Sequence, residues 1–376
     1  MTDNDAARAG PPADLAIHVL HVVGRDAALR LGPMLAQVMQ ALSARGLKTT
    51  LVTDDAELGV RLADTPVECH LVPHVGGWRA WRLDGLLTAR LAPPNVVHVW
   101  GQAGLGWLLR WARQADVPCV AHVFGTAHGE QALRTCRRAS EHVVFASSAL
   151  AAPLLPRFPH AAARCRVVPP AVAIPPHTSP ADSGERLFTA LCVGRFAEEH
   201  GLELVIDAVA QLRRNRVDLQ VGLVSDGPGL GAIWRRIRER RVRECVALVD
   251  EPRLWEKVLP EVDACLLPAA EPELTIVPLL AMGLGKLVIA TRNQPADWFI
   301  EERTAWQFTP GSAAELAYLL TRAIEQPQKA LELRTAAAQY VRAEHSIAAM
   351  IERLGELYAT ACGRSAAVSA ATGGAS

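Results

Sequence analysis

The sequence predicts an α/β protein made of two domains, each built on a parallel sheet. The chain has 376 residues, which is too long for one ordinary core and fits two domains of about 150 to 190 residues each. In both halves, apolar runs of strand length alternate with helical stretches, which is the order of repeated βαβ units. Between the two series, residues 169–184 (PPAVAIPPHTSPADSG) are rich in proline and exclude a persistent helix or central strand.

The first βαβ unit begins near residue 16. Residues 16–23 (AIHVLHVV) form a continuous β-rich run, as expected of a strand buried on both faces. We expect a loop between two glycines at 24–32 (GRDAALRLG), then a helix at 33–44 and a strand at 48–53. The other elements of this half are strands at 67–72, 95–100, 117–125 and 142–147, with helices at 106–114, 130–138 and 148–158.

The second half repeats the same alternation after the linker. Its predicted strands are 187–193, 218–224, 245–249, 263–267 and 287–290. Its predicted helices are 202–213, 231–243, 251–258, 275–283, 312–326 and a terminal helical tract, 331–359. The basic helix 231–243 (GAIWRRIRERRVR) could bind phosphate or RNA. Because its arginines lie opposite Ile233, Ile237 and Val242, the pattern favours an amphipathic helix with a solvated face.

Composition narrows the function classes. Lys+Arg and Asp+Glu both number 39, so no global field attracts nucleic acid. The N-terminus lacks a signal-peptide layout, and no apolar run approaches the ~18 residues of a membrane span. The eight cysteines form no C-x-x-C pair, so neither zinc nor a disulfide framework is indicated. We expect a cytoplasmic protein with disordered tails at 1–14 and 363–376.

One segment could contact a membrane from the cytoplasmic side. Residues 78–90 contain Trp78, Trp81 and three arginines around a predicted helix, a composition compatible with docking at the inner membrane face. A helix that packs on the domain with its arginines exposed explains the same pattern and is favoured.

The stretch 271–290 (EPELTIVPLLAMGLGKLVIA) suggests a ligand site. It combines an acidic loop, a short helix, a tight turn and a buried strand. Thr275 is a good N-cap, and Pro278 is tolerated in the first helical turn. At the carboxyl end of a parallel sheet, helix amides bind phosphate, and carboxylates such as Glu271 and Glu273 bind ribose hydroxyls. On spacing alone, an ordinary acidic loop explains the stretch equally well.

This stretch also resembles the donor signature E-G-F-G-L-x-x-x-E-A-M-A-x-G-x-P-V-V-A of the retaining group 1 glycosyltransferases of the GT-B fold. Ala281-Met282, Gly285 and 287–290 match it. Val193-Gly194-Arg195, followed by Gly201 and a helix, is similar to the family's V-G-R-x-x-x-x-K-G. The turn 225–228 (SDGP) resembles G-D/E-G-P, and His98 fits D-V-V-H-x-H-G. The resemblance covers about residues 16 to 360.

The resemblance implies two Rossmann-like domains facing a cleft, with a C-terminal helix that crosses back to the first domain. The implied division is an acceptor-side domain at 15–168, the linker 169–184, a nucleotide-sugar-binding domain at 185–340 and the returning helix at 341–362. The implied activity is transfer of a sugar from a nucleotide-diphosphate-sugar donor to a hydroxyl acceptor with retention, in glycan or glycoconjugate synthesis. No metal ion is expected.

The resemblance also assigns roles to residues. Arg195, with His200, would hold the diphosphate and compensate the charge of the leaving group. His122 or His98 would position the donor sugar, so the candidate catalytic residues are Arg195, His122 and His98. The candidate donor-binding residues all follow predicted strands of the second domain: Gly194, Arg195, His200, Asp226, Gly227, Glu271, Glu273, Thr275 and Ile276.

Four departures from the family patterns leave another class of function open. Leu280 stands where the family has a second glutamate, His200 replaces a lysine, and Phe124 replaces a histidine, while two Gly-Gly pairs are absent. His122 lies two residues before Phe124, on the same face of its strand, and could substitute. The alternative is a non-catalytic GT-B-like protein that binds a partner or a sugar nucleotide. A nucleotide-sugar epimerase would need carboxylates and histidines that we do not find in the sequence.

Overall fold

The computed structural model describes residues 17–73, 75, 91–174, 187–195, 201–226, 229–251, 253–268 and 274–363, and for residues 195, 225 and 226 it describes the backbone. The chain forms two compact units. Unit 1 comprises Met1–Ala171 and Ile347–Ser376, and unit 2 comprises Val172–Ser346. Outside the described residues lie the predicted tail at 1–14, the predicted tail at 363–376 except its first residue, linker residues 175–184 and the segment 78–90.

Within the described ranges, unit 1 contains a seven-stranded parallel sheet in the order β3-β2-β1-β4-β5-β6-β7. The strands are β1 (His18–Val23), β2 (Lys48–Thr53), β3 (Glu68–Leu71), β4 (Val96–Trp100), β5 (Cys119–Val123), β6 (Glu141–Phe145) and β7 (Cys165–Val167). The helices are α1 (Arg25–Ala44), α2 (Ala56–Arg61), α3 (Leu105–Gln114), α4 (Thr126–Thr135), α5 (Ser148–Ala151) and, from the C-terminus, α12 (Ile347–Ala361).

The central strands of unit 1 are buried along their whole length. Every residue of β1, β4 and β5 is buried, as expected for parallel strands covered by helices on both faces. The strand order reverses between β1 and β4, because the chain builds outward to β3 on one side and to β7 on the other. The carboxyl ends of β1 and β4 therefore flank the position where open α/β sheets bind ligands.

Helix α1 begins at Arg25, so the predicted loop at 24–32 is wrong. Ala27, Ala28 and Leu31 are buried on a helix that packs against β2 and α12, and the helix continues through Pro33. An internal proline costs about 3 kcal/mol or more because one backbone hydrogen bond is lost. Burial of a single leucine-sized side chain offsets about 1.5–3 kcal/mol of this cost, and four helix residues before the proline are buried, among them Leu31.

Two other helices of unit 1 differ from their predicted bounds. Helix α4 starts at Thr126, four residues before the predicted start at 130, because buried His128 and Gly129 continue its packed face toward the strand. Helix α5 ends at Ala151, and 3-10 turns over 155–157 and 159–164 replace the rest of the predicted helix 148–158. Pro153, Pro156 and Pro159 each remove an amide donor there, which favours short turns over a continuous helix.

Unit 2 contains a six-stranded parallel sheet in the order β10-β9-β8-β11-β12-β13 within the described ranges. The strands are β8 (Phe188–Arg195), β9 (Leu219–Asp226), β10 (Val246–Val249), β11 (Ala264–Leu267), β12 (Leu287–Thr291) and β13 (Trp306–Phe308). The helices are α6 (Leu202–Arg214), α7 (Leu230–Arg240), α8 (Trp255–Val258), α9 (Val277–Gly283), α10 (Ala313–Glu325) and α11 (Pro327–Glu344). Apolar side chains of β8, β9, α6 and α10 form one buried core.

The terminal helical tract is divided between the units. Residues 341–344 complete α11 in unit 2, whereas α12 begins at Ile347 and belongs to unit 1. The predicted continuous helix at 341–362 is therefore wrong in its first residues. His345 has φ −120° and ψ 34°, and its carbonyl accepts a hydrogen bond from the Val172 amide at 2.9 Å. This non-helical pairing ends α11 before the chain enters unit 1.

Candidate functional site

Three predicted donor-binding residues meet at the carboxyl edge of the unit 2 sheet. The strand order reverses at β8, which lies between β9 and β11. In the register of β8 and β9, Gly194 pairs with Ser225 and Arg195 pairs with Asp226. Gly194, Arg195 and Asp226 thus lie side by side at the switch point, where ligands of open α/β sheets bind.

Thr275 and Ile276 lie in the turn that leads into α9 from the same edge. Buried Leu274 and Ile276 anchor this turn, and α9 begins at Val277, so the prediction that Thr275 is the N-cap is wrong by one residue: Ile276 takes that position. The Thr275 hydroxyl accepts a hydrogen bond from the Val277 amide at 3.2 Å. Since Pro278 has no amide, α9 offers few free donors, and a bound diphosphate would depend on side-chain cations.

The remaining predicted donor-binding residues, His200, Gly227, Glu271 and Glu273, lie outside the described residues. Leu280, at the position of the family's second glutamate, is half-buried in α9. An aliphatic side chain cannot accept a hydrogen bond from a ribose hydroxyl. The described part of this edge therefore contains no carboxylate on α9.

Sequence reasoning assigned no role to Arg292, which follows β12 at the same carboxyl edge. Its Nη1 donates to Thr309 Oγ1 at 3.1 Å, and its guanidinium lies 3.9 Å from Glu301 and 3.6 Å from Glu315. It is two strands from β8, a separation of roughly 10 Å at the usual strand spacing. The signal in the sequence was its position directly after a buried strand.

In unit 1, His98 and His122 lie on one face of the sheet within a buried column of rings. The rings of His98 and His122 are parallel with centroids 5.4 Å apart, and Trp100 stacks on both, at 4.2 and 4.6 Å. Phe124 continues the column 4.6 Å from His122. The period of two along β4 and β5 produces this alignment, since His98, Trp100 and His122 point to the same face.

The C-terminal helix closes this column. Tyr358 of α12 is fully buried, and its hydroxyl lies 2.6 Å from His98 Nδ1. His21 of β1 also faces the column, and its Nδ1 accepts a hydrogen bond from Trp100 Nε1 at 3.0 Å. The rings of His21, His98 and His122 are fully buried, so none of these histidines presents a nitrogen to solvent.

Burial keeps these histidines neutral. Desolvation lowers the pKa of His21 to about 3, with repulsion from His18 as a smaller contribution. Desolvation also lowers the pKa of His122 to about 3; contact with the Val168 backbone partly opposes this decrease, and repulsion from His128 adds slightly to it. Desolvation also lowers the pKa of His98 well below its ordinary value. Desolvation likewise lowers the pKa of His128 in α4 to about 4, with repulsion from Arg30 as the smaller contribution. At neutral pH these rings can donate and accept hydrogen bonds but carry no charge.

Three glycines shape the carboxyl edge of unit 1, which sequence reasoning missed because no Gly-Gly pair is present. Gly24 follows β1, and a Cβ there would lie 2.4 Å from the Ala103 Cβ. Gly101 and Gly104 follow β4 with φ of 85° and 72°, a region that other residues rarely adopt. Asp54 accepts hydrogen bonds from the amides of Arg25 and Val75 at 2.7 and 3.2 Å. The sequence signal for this edge was the glycine directly after each of the two strands, β1 and β4.

The described residues contain neither a metal-binding cluster nor a membrane-spanning helix. Among the described residues, no group of three or more His, Cys, Asp or Glu side chains could hold a metal ion. No helix in the described ranges combines the length and apolar character needed to cross a bilayer.

Comparison with protein families gives a match in each half of the chain. Residues 188–326, in unit 2, match the family model of glycosyl transferases group 1. Residues 32–174, almost all in unit 1, match the model of glycosyltransferase family 4. Together the two models cover the whole sheet of unit 2 and the sheet of unit 1 except β1.

Individual relatives agree with these matches. Alpha-D-kanosaminyltransferase of Streptomyces kanamyceticus is 27% identical over 173 residues, which are 45% of this chain and 44% of that protein, so the aligned region spans less than half of the relative. The structure of HepE of Anabaena in complex with UDP and glucose matches with a TM-score of 0.76 and 16% identity, over 92% of this chain and 100% of that chain. A glycosyltransferase of Rickettsia africae gives a TM-score of 0.74 and 14% identity, over 93% and 100% of the chains. At such identities, the structural matches show the fold.

Proposed function

Because the chain belongs to the group 1 glycosyltransferases of the GT-B fold, we propose that it transfers a sugar from a nucleoside-diphosphate sugar to a hydroxyl acceptor. The transfer retains the sugar's configuration, uses no metal ion and serves glycan or glycoconjugate synthesis in the cytoplasm. The observation that carries the proposal is the adjacency of Gly194, Arg195 and Asp226 at the switch point of unit 2. The UDP bound to HepE and the sugar named for the kanosaminyltransferase support a nucleotide-sugar donor.

In this proposal Arg195 is the main cation of the donor site. A guanidinium binds a diphosphate by paired hydrogen bonds and stabilises the negative charge that develops as the sugar leaves. The small Gly194 beside it lets the ligand approach the backbone closely. Since α9 offers few free amides, loss of Arg195 would leave the diphosphate poorly compensated. His200, Asp226, Gly227, Glu271, Glu273, Thr275 and Ile276 complete the proposed site.

His98 and His122 enter the proposal as residues that position the donor sugar. They are neutral and buried beneath the carboxyl edge of unit 1, so they would act through the residues that follow β4 and β5. A His122→Phe variant should then lower kcat more than it raises KM, since it alters geometry while leaving the diphosphate contacts intact. An equal loss of kcat in a variant of exposed His160 would contradict this role.

Calorimetry with UDP, GDP, ADP and their common sugar conjugates tests the proposal. Tight binding of one nucleotide should weaken about 10- to 100-fold in Arg195→Ala, since a hydrogen-bonded charge contributes about 1.5–3 kcal/mol. Arg214→Ala, an exposed arginine of the same unit, is the matched control and should bind as the wild type does. Equal binding by Arg195→Ala and wild type, or no binding by the folded wild type, would refute the donor site.

A second candidate function is binding without transfer. It is favoured by Leu280, which provides no carboxylate on α9, and by the full burial of His98 and His122. The two functions differ in turnover: a transferase releases nucleoside diphosphate from its donor when supplied with an acceptor extract, and slowly by hydrolysis without one. Tight donor binding with no release of diphosphate in either condition would establish the second function and exclude the first.

A further inference from the structure

Helix α7, which the proposed function does not use, exposes an aromatic and basic face. Ile233 and Ile237 of this helix are buried in the core, whereas Trp234, Arg235 and Arg238 are exposed. At 100° per residue, these three side chains share the face directed away from the core. Trp234 is 39% exposed, although tryptophan side chains are highly buried on average. Packing within unit 2 therefore leaves more than a third of this residue exposed.

The ends of α6 and α7 lie next to each other and extend the basic face. Arg213 Nη2 lies 2.9 Å from Glu244 Oε2, and its guanidinium also donates to the carbonyl of Arg241. The contact brings the segments that follow the two helices together. We call the exposed residues of this region the arginine–tryptophan surface: Trp234, Arg235, Arg238, Arg214, Arg216, Arg241 and Arg243.

The fold concentrates positive charge on this surface, although the whole chain has a formal net charge of zero. Nine arginines and five acidic residues lie between Asp207 and Glu244. Asp207 is already paired with Arg236 and Arg240, at 2.5 and 2.7 Å, and Glu244 is paired with Arg213. The six arginines of the surface form no ion pair with any residue in the ranges that the structure describes. The exposed acidic residues Asp218 and Glu239 offset only two of these six charges.

Helix electrostatics explains part of this pattern. Arginines near the C-terminus of a helix stabilise its dipole, which suffices for Arg214 and Arg241. It does not explain Arg235, in the middle of α7, or the exposed indole of Trp234. The combination of an exposed tryptophan with surrounding unpaired arginines indicates a partner that offers both an apolar layer and negative charge.

We propose that the arginine–tryptophan surface docks on a lipid bilayer that displays anionic headgroups. Tryptophan prefers the level of the headgroups, where its ring is partly apolar and its N–H can be hydrated. Guanidinium groups bind headgroup phosphates, and their aliphatic stems lie along the apolar boundary. Single-stranded RNA is the weaker match, because it needs several aromatic side chains for successive bases, and the surface has one.

The position of the surface is compatible with donor binding. The segments after α6 and α7 lead into the starts of β9 and β10, so they lie at the amino-terminal edge of the unit 2 sheet. Gly194, Arg195 and Asp226 lie at the opposite, carboxyl edge. A protein bound through this surface therefore keeps its proposed donor site away from the lipid headgroups.

Vesicle flotation with the full chain tests the proposal. The probes are vesicles of phosphatidylcholine alone and vesicles in which about a third of the lipid is phosphatidylglycerol, an anionic content at which basic clusters bind. We expect binding to the anionic vesicles only, weakened by salt. Each arginine should strengthen binding about fivefold, so the pair Arg235→Gln and Arg238→Gln should weaken it about 25-fold, and the pair Arg214→Gln and Arg216→Gln should act similarly.

Matched controls separate this surface from general charge and from the segment 78–90. Arg110→Gln with Arg353→Gln changes two exposed arginines of unit 1 and should leave vesicle binding unchanged. Trp234→Ala should weaken binding even at high salt, whereas Tyr318→Ala, at a 65% exposed tyrosine, should not. Melting curves verify that each variant is folded.

Four outcomes would overturn the proposal. The first is that the wild type does not bind anionic vesicles, and the second is that the unit 1 control pair loses as much vesicle binding as the α7 pair does. The third is that Arg79→Gln with Arg82→Gln loses vesicle binding while the α7 pair binds normally. The fourth is that the protein binds single-stranded RNA in fluorescence anisotropy but does not bind vesicles. None of these results depends on nucleotide affinity, so the surface and the proposed transferase function are tested separately.

Discussion

Mild acid should unfold unit 1 selectively, because its core contains neutral histidines. In the unfolded chain these rings have a pKa of 6.5, whereas burial lowers the pKa of His21 and His122 to about 3 and that of His128 to about 4. Folded-state pKa values below the unfolded value mean that the unfolded state binds more protons as the pH falls. The stability from these groups is therefore complete above pH 6.5 and is lost as the pH falls toward the folded values.

The size of the effect follows from the pKa difference. Between pH 6.5 and pH 5, each of the three rings costs about 2 kcal/mol, at about 1.4 kcal/mol per pH unit. Together they remove about 6 kcal/mol at pH 5, comparable with the roughly 5–15 kcal/mol that stabilises a whole domain. His98 acts in the same direction. Protonation of His21 would also oppose the Trp100 Nε1–H, which now donates to its Nδ1.

Hydrogen exchange measured by mass spectrometry resolves the two units. After correction for intrinsic exchange rates, peptides from β4 and β5 should lose protection at pH 5 relative to pH 7, while peptides from β11 and β12 should keep most of theirs. In His122→Phe, where a phenyl ring replaces imidazole in the stack, the pH-dependent loss should shrink by about 2 kcal/mol. Exposed His160→Gln is the matched control and should behave as the wild type does. Equal loss of protection in both units, or an unchanged loss in His122→Phe, would refute the reasoning.

Three further predictions concern individual contacts. Tyr358→Phe should destabilise unit 1 by about 1–3 kcal/mol in urea unfolding, because His98 Nδ1 loses its buried partner; the exposed Tyr318→Phe should have no effect, and an equal loss in both would contradict the assignment. Gly283→Ala should lower the melting temperature, because a Cβ at this position would lie 2.5 Å from Ile174 Cδ1 and such overpacking destabilises a fold by about 1–3 kcal/mol. Adding Ile174→Ala to this variant should restore part of the lost stability. If the two substitutions instead destabilise additively, the clash is not the cause. Glu141→Gln should cost about 2 kcal/mol, since its buried carboxylate accepts hydrogen bonds from Arg113 and two backbone amides; urea unfolding with no change in midpoint would rule this out.

The alternation of strands and helices could be predicted from sequence because it depends on local patterns. The β-rich run of β1 is visible within a few residues, and so are the glycines that end helix α9. The start of α1 could not be predicted, since Gly24, Gly32 and Pro33 indicate a loop locally. Burial of Leu31 and its neighbours makes this segment helical, and that burial depends on contacts that exist only in the folded protein.

The candidate sites divide in the same way. Gly194 and Arg195 are singled out because residues 193–201 resemble the family's V-G-R-x-x-x-x-K-G, and the parallel register places Asp226 beside Arg195. The period of two placed His122 on the same face as Phe124. It could not show that Trp100 stacks on both His98 and His122 or that Tyr358 bonds to His98. Those contacts join distant parts of the chain, and no local pattern encodes them.

The bond between Tyr358 and His98 has a consequence for the order of folding during synthesis. Domains generally fold as units as they leave the ribosome, the N-terminal one first. Here the residues of unit 2, 172–346, all emerge before α12 supplies Tyr358 to the first sheet. The first unit to be translated is thus the last to be completed. Until α12 arrives, His98 lacks the Tyr358 hydroxyl that it contacts in the complete fold. Unit 2 is therefore the first unit whose residues are all available to fold.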